Sequence, residues 1–169
     1  MGEPLRWIFV VLLAAFFSHC MTAPKRIVAT DYRNQKVYMG KHRSYSVGAL
    51  PKHWELKRDR GGVHFYDPQS GASIITDAFC EAREYETDPS VLLKQRLDGL
   101  SELKIQHEEK KENGVRVRAE TRWEKQPVFL DLAVFQRRGC QFEFVAIIPE
   151  KDSAEVHRNF EQFFGGFSF

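Results

Sequence analysis

The chain has 169 residues, 43% of them hydrophobic, 28% charged and 13% aromatic, with fourteen Phe and a formal net charge of +2. That apolar content offsets chain entropy and excludes disorder for the body of the chain, and the length fits one domain behind a targeting segment. The small, mixed charge excludes a nucleic-acid footprint.

Residues 1–20 read as a signal peptide. Arg6 gives a weakly basic start, and Trp7 to Phe17 (WIFVVLLAAFF) is an unbroken apolar run. It is shorter than the roughly 20 residues a spanning helix needs and has the length of a secretory h-region. Ser18, His19 and Cys20 follow. A cysteine directly after an h-region resembles the bacterial lipoprotein signal, in which that cysteine becomes the lipidated first residue; Phe17 and His19 depart from the usual Leu and small residue. Cleavage after Cys20, with Ser18 three positions back, and retention as an uncleaved anchor are the alternatives. With Cys20 lipidated, Cys80 and Cys140 remain as a candidate disulfide in an oxidising compartment, or as two separate buried thiols.

Residues 21–43 are polar and basic, which suits a tether that clears the headgroup region or an ordered extension across the domain. Val37, Tyr38 and Met39 can form a short strand within it. The folded domain is expected over residues 44–169. Tyr45, Val47 and Ala49 alternate with polar neighbours, and Leu50-Pro51 ends that strand. Lys52, His53 and Trp54 open the next, residues 59–62 turn it, and residues 63–66 return. Asp67, Pro68 and Gly71 mark a second turn before a strand over residues 72–82, so these hairpins form an antiparallel meander.

A helix follows. Asp88 is a good N-cap with Pro89 at the first helical position. Leu93, Leu97 and Leu100 recur at i, i+4 and i+7, with Val91 and Leu103 flanking them, so one stripe packs on the sheet. Residues 104–111 read as a polar strand, Asn113-Gly114 as a hairpin turn, and residues 115–123 as a clean alternation. Val115, Val117, Ala119, Thr121 and Trp123 face one way; Arg116, Arg118, Glu120, Arg122 and Glu124 face the other, read as solvated.

Residues 127–149 are the centre of the fold: two apolar period-two strands around a turn at Arg137, Arg138 and Gly139, with Gly139 supplying a positive φ. Apolar residues on both faces predict central strands covered from outside. Asp152 with Glu155 resembles a capping box for a last helix, whose buried stripe is Val156, Phe160, Phe163, Phe164 and Phe167 and whose stop is Gly165-Gly166. The predicted class is α+β, an antiparallel sheet of six or seven strands flanked by helices.

Candidate sites are few. His42, His53, His64, His107 and His157 lie far apart, and only His53 with His64 across a hairpin invites a metal; none is expected, nor any other cofactor. Ser70 and Ser101 lack a nucleophile elbow, and Asp67 is turn chemistry. Glu108, Glu109 and Glu112 alternate with Lys110 and Lys111 as a solvated hairpin tip. Arg116, Arg118 and Arg122 form a candidate partner-binding face, interrupted by Glu120 and Glu124. No catalytic residue is expected.

The runs YSVGALPKHWEL at residues 45–56 and VHFYDPQSGASI at 63–74, with the closing FEQFFGGFSF at 160–169, resemble the Mog1/PsbP-like superfamily. The resemblance covers residues 44–169 and implies helices packed around an antiparallel sheet, in proteins that mostly act by docking on larger assemblies. No residue here matches a partner-reading motif, so it implies no named partner. The expectation is an exported, lipid-tethered accessory protein that binds a membrane-associated complex without catalysis; the alternative is a ligand- or lipid-binding module with a pocket between sheet and helix.

Overall fold

Two long apolar strands form the spine, β9 (Gln126–Arg137) and β10 (Cys140–Pro149), in register from Cys140 opposite Arg137 to Pro149 opposite Val128. The two-residue loop Arg138-Gly139 has φ of 51° and 71°, the type I′ geometry that matches strand twist. The computed structural model describes residues 27–40, 43–59, 62–80, 88–123, 125–149 and 153–169. In chain order its other elements are β1 (Ile27–Arg33), β2 (Lys36–Met39), β3 (Arg43–Ser46), β4 (Glu55–Asp59), β5 (Gly62–Tyr66), β6 (Ser73–Cys80), helix α1 (Pro89–Leu97), β7 (Ser101–Lys111), β8 (Gly114–Trp123) and, after β10, helix α2 (Ser153–Gly165).

The main sheet is antiparallel throughout and runs β4-β5-β6-β10-β9-β8-β7. One edge of β6 is shared: Ser73 to Thr76 pair with β5, whereas Phe79 and Cys80 pair with β1. From there β1, β2 and β3 form a second, three-stranded meander. The seven-stranded sheet fits the expected strand number, and the extra layer comes from the segment read as a tether or an ordered extension. Val37 and Met39 are fully buried, so residues 27–39 belong to the domain, which starts well before Ser44. Val37 and Met39 alternate with Lys36 and Tyr38, so the short strand expected at residues 37–39 is present as β2 with its apolar side chains inward.

Strand alternation splits the interior in two. On one face, Ala133, Phe142, Phe144, Ala146 and Ile148 of the central strands meet Val37 and Met39 of the meander, together with Phe160 and Phe163 of α2. On the other, Leu93 and Leu97 of α1 cover Val115, Val117, Ala119, Leu130, Leu132 and Val134. Asp88 caps α1 by accepting from the Ser90 backbone N–H at 2.7 Å, with Pro89 at the first position. Val91 lies outside the stripe and is exposed.

Two glycines fix how the C-terminus closes over the Phe-rich face. A Cβ on Gly48 would lie 1.9 Å from the Gln162 carbonyl oxygen, and one on Gly166 would lie 2.3 Å from the Gly48 nitrogen. The loop after β3 therefore crosses the end of α2 at backbone contact. Ser46 and Ser168 then exchange backbone hydrogen bonds at 2.9 and 3.2 Å.

Turn predictions shift slightly. Lys111 pairs with Gly114, so the β7–β8 loop is Glu112-Asn113 and Gly114 begins a strand. Gly114 is needed there for space, since a Cβ would meet the Phe135 ring at 2.2 Å. Asp67 builds its turn as expected: its carboxylate accepts from the Gln69 N–H at 2.9 Å and the Ser70 hydroxyl at 2.6 Å. Asp152 of the expected capping box lies outside the described residues.

Candidate functional site

The alternation of β8 decides where its arginines go. With Val115, Val117 and Ala119 under α1, Arg116 and Arg118 must project to the opposite face, and there α2 lies across them. Register sets Arg118 directly opposite Asp131 of β9, a carboxylate in an otherwise apolar strand. Asp131 is fully buried. Arg116 grips it with two hydrogen bonds, Nε to Oδ1 at 2.7 Å and Nη2 to Oδ2 at 2.6 Å. Its terminal nitrogens also reach Glu161 of α2, Nη1 to Oε2 at 3.2 Å and Nη2 to Oε1 at 2.8 Å. Arg118 donates from Nε to Asp131 Oδ2 at 3.1 Å and from Nη2 to Glu161 Oε1. The Arg116 guanidinium also stands 5.5 Å from the Phe160 ring centre and 5.0 Å from that of Phe164.

Two cations and two carboxylates thus balance inside the contact between sheet and helix. A buried carboxylate without such partners would be expensive. The Arg116 hydrogen bonds hold the Glu161 carboxyl below its ordinary range.

Beside this network, α2 and the strands leave a groove of about 490 Å³. It is lined by Gln106 of β7, Arg118 of β8, Phe129 of β9, and His157, Arg158 and Glu161 of α2. The His157 ring is half-buried, tilted against Phe129 with centres 6.1 Å apart. Burial pushes its pKa down, so the neutral imidazole is favoured. Among the described residues, His157 makes no hydrogen bond and Arg158 no ion pair.

The three arginines expected on one solvated face do not form one: Arg116 is 9% exposed and internal, Arg118 is half-buried and joins the buried Asp131 to the half-exposed Glu161, and Arg122 is exposed and paired to Glu102 at 2.9 Å. The reason is α2, which covers the first half of β8 and not its end. Cys80 and Cys140 sit directly opposite each other on β6 and β10, Cα atoms 4.1 Å apart, and form a disulfide. The Arg43 guanidinium contacts Cys140 Sγ at 3.3 Å. Cys20 lies outside the described residues. His64 Nε2 is 3.0 Å from the Ser73 hydroxyl and His53 Nε2 is 3.7 Å from Asp67, so the two histidines have different neighbours. Among the described residues no group of three His, Cys, Asp or Glu side chains is placed to hold a metal, and no helix is long and apolar enough to cross a membrane.

Asp131, Glu161 and Arg158 escaped the sequence reading, and His157 was weighed there only as a metal ligand. A signal was present: Asp131 between Leu130 and Leu132, like Glu143 between Phe142 and Phe144, is a carboxylate where a strand should be apolar. Each demands a cation from elsewhere, and Glu143 finds Arg96 of α1 at 2.9 and 3.0 Å.

No family model matches the chain, and no curated protein matches it by sequence. Among solved structures, LpqN, involved in cell envelope biogenesis of Mycobacterium tuberculosis, is similar with a TM-score of 0.52 and 12% identity, over 83% of this chain and 90% of that one. Cyanobacterial PsbP (CyanoP) from Synechocystis sp. PCC 6803 is similar with a TM-score of 0.52 and 13% identity, over 88% of this chain and 95% of that one. At such identities the likeness concerns the fold. A seven-stranded antiparallel sheet, with a strand layer and α2 on one face and α1 on the other, gives this chain the Mog1/PsbP-like fold.

Proposed function

We propose that this chain is a non-catalytic accessory protein of the cell envelope, exported, lipid-tethered through Cys20, and docked on a membrane-associated protein complex. The observation that carries the reading is an apolar leader ending in Cys20 ahead of a domain whose β6 and β10 are joined by a disulfide. Such bonds persist in oxidising compartments outside the cytosol. The fold likeness to LpqN, a protein involved in cell envelope biogenesis, points the same way. The internal charges fit a structural role: Arg116, Arg118, Asp131 and Glu161 engage one another and fasten helix to sheet, which leaves none of them poised as a base or nucleophile.

Fractionation of cells expressing the full chain tests this reading. The wild-type protein should sediment with membranes, and Cys20→Ala should release it or block its maturation. Recovery of wild-type protein in the cytosol with Met1 retained would overturn it.

A second reading, a ligand-binding accessory module, is favoured by one observation: the groove of about 490 Å³ lies between sheet and helix and has the size of a small-molecule site.

A further inference from the structure

The groove beside α2 has a chemistry that the ion-pair network does not use up. Glu161 Oε1 accepts from Arg116 and Arg118, and Oε2 accepts from Arg116. Both Asp131 oxygens are taken by the same arginines. These four groups sum to zero charge, and among the described residues Arg158 is the groove's cation in excess. Arg118 engages Nε and Nη2, so among the described residues its Nη1 is left without an acceptor. His157 adds a ring with no hydrogen bond to a described residue, while Phe129 supplies apolar wall.

A cation that no described residue compensates, a guanidinium held by the network, an imidazole and an aromatic wall complement one type of guest. A single negative charge with a planar, forked acceptor suits the guanidinium groups. A flat apolar body suits Phe129 and His157. The network beneath keeps Arg118 in place before any ligand arrives, which lowers the ordering cost of binding.

We propose that this groove binds a small aromatic monocarboxylate, its carboxylate held by Arg158 and Arg118 and its ring against Phe129 and His157. The assignment rests on the ligand-binding reading above. It is independent of membrane docking, so its failure would leave the docking reading untouched.

The test is titration of the full-length chain, held in phosphatidylcholine nanodiscs and labelled at the histidine rings, with phenylacetate and with its uncharged amide, followed by NMR. Phenylacetate should shift the His157 resonance saturably, and phenylacetamide should bind at least about tenfold more weakly, as expected for the loss of a charge-assisted contact. Arg158→Gln should weaken phenylacetate by a similar factor and leave the amide unchanged, whereas Arg122→Gln, outside the groove, should change neither. Equal binding of acid and amide would overturn the assignment, as would unchanged phenylacetate affinity in Arg158→Gln. Absence of any saturable shift up to about 10 mM, weaker than the millimolar range, would also overturn it.

Discussion

The two faces of the central sheet are built from different materials. Under α2 and the meander the core is aromatic: Phe142 packs on Tyr45, Phe167 and Phe169 with ring centres 4.8 to 5.3 Å apart, and Phe144 meets Phe164 and Phe167 at 5.2 and 5.1 Å. Under α1 the core is aliphatic, a patch of Leu, Val and Ala with Ile105 and Trp123 left about half exposed. The aromatic face encloses charged groups, and the aliphatic face meets its ion pair, Arg96 with Glu143, where the arginine is 56% exposed. Large flat rings pack around a guanidinium, offering it their faces as well as their bulk, whereas aliphatic side chains offer it nothing. That is why, among the described residues, the buried arginine and the groove beside it lie on the aromatic side.

The difference can be broken most severely at Asp131 and Phe160. Asp131→Ala leaves Arg116 without its buried carboxylate and should cost about 3–5 kcal/mol in urea melts, as should removal of the fully buried Phe160 ring. Replacing Arg116 and Asp131 together by Leu should recover much of the loss, because a buried pair exchanged for apolar volume is often neutral. A double variant as unstable as the sum of the singles would show that the pair is not the unit we describe. On the aliphatic face, Leu93→Ala should cost about 2–3 kcal/mol, since the helix can relax toward the site. A Leu93 loss exceeding that of Phe160 would invert the ranking of the two faces.

Acid should also distinguish the faces. His157 has a folded pKa below its ordinary 6.5, so the unfolded chain binds more protons as pH falls, and the contribution of this group is full above that value and lost below it. Glu161, with its carboxyl held down, adds a loss of the same sign at lower pH, as pH falls through its folded value. Asp77, raised chiefly by burial, runs the other way: its contribution is lost as pH rises. Between about pH 7 and pH 5 wild type should therefore lose more stability than His157→Gln, checked by melts at each pH. Identical slopes would place His157 outside the buried site. The smallest effect belongs to the surface: Arg122→Ala, whose partner Glu102 is exposed, should stay within about 0.5 kcal/mol.

Much of this was legible in the residues. The β9–β10 hairpin, the Asp88–Pro89 start of α1, the Phe stripe of α2 and the Asp67 turn follow from periodicity and local hydrogen-bonding chemistry, which act within a few residues. β2 was legible only as a short strand at Val37–Met39, and its place in the core was not, because Val37 and Met39 are buried among residues far away in the chain. The site failed for a similar reason. Alternation correctly put Arg116 and Arg118 on the face opposite Val115 and Val117, but what covers that face is decided by where α2 lands, and no local pattern in β8 carries that information. Calling a face solvated because it is charged overlooked the buried Asp131 waiting across the ladder.

The central claim is that this domain works by docking, and in-cell crosslinking of the full-length, tagged chain at native abundance tests it most directly. Mass spectrometry of the membrane fraction should recover one defined envelope complex reproducibly with the wild-type protein and lose it with Cys20→Ala. Wild-type protein recovered from that fraction without any crosslinked partner, or a turnover activity that persists through purification and vanishes on mutating a single histidine or carboxylate, would contradict the account.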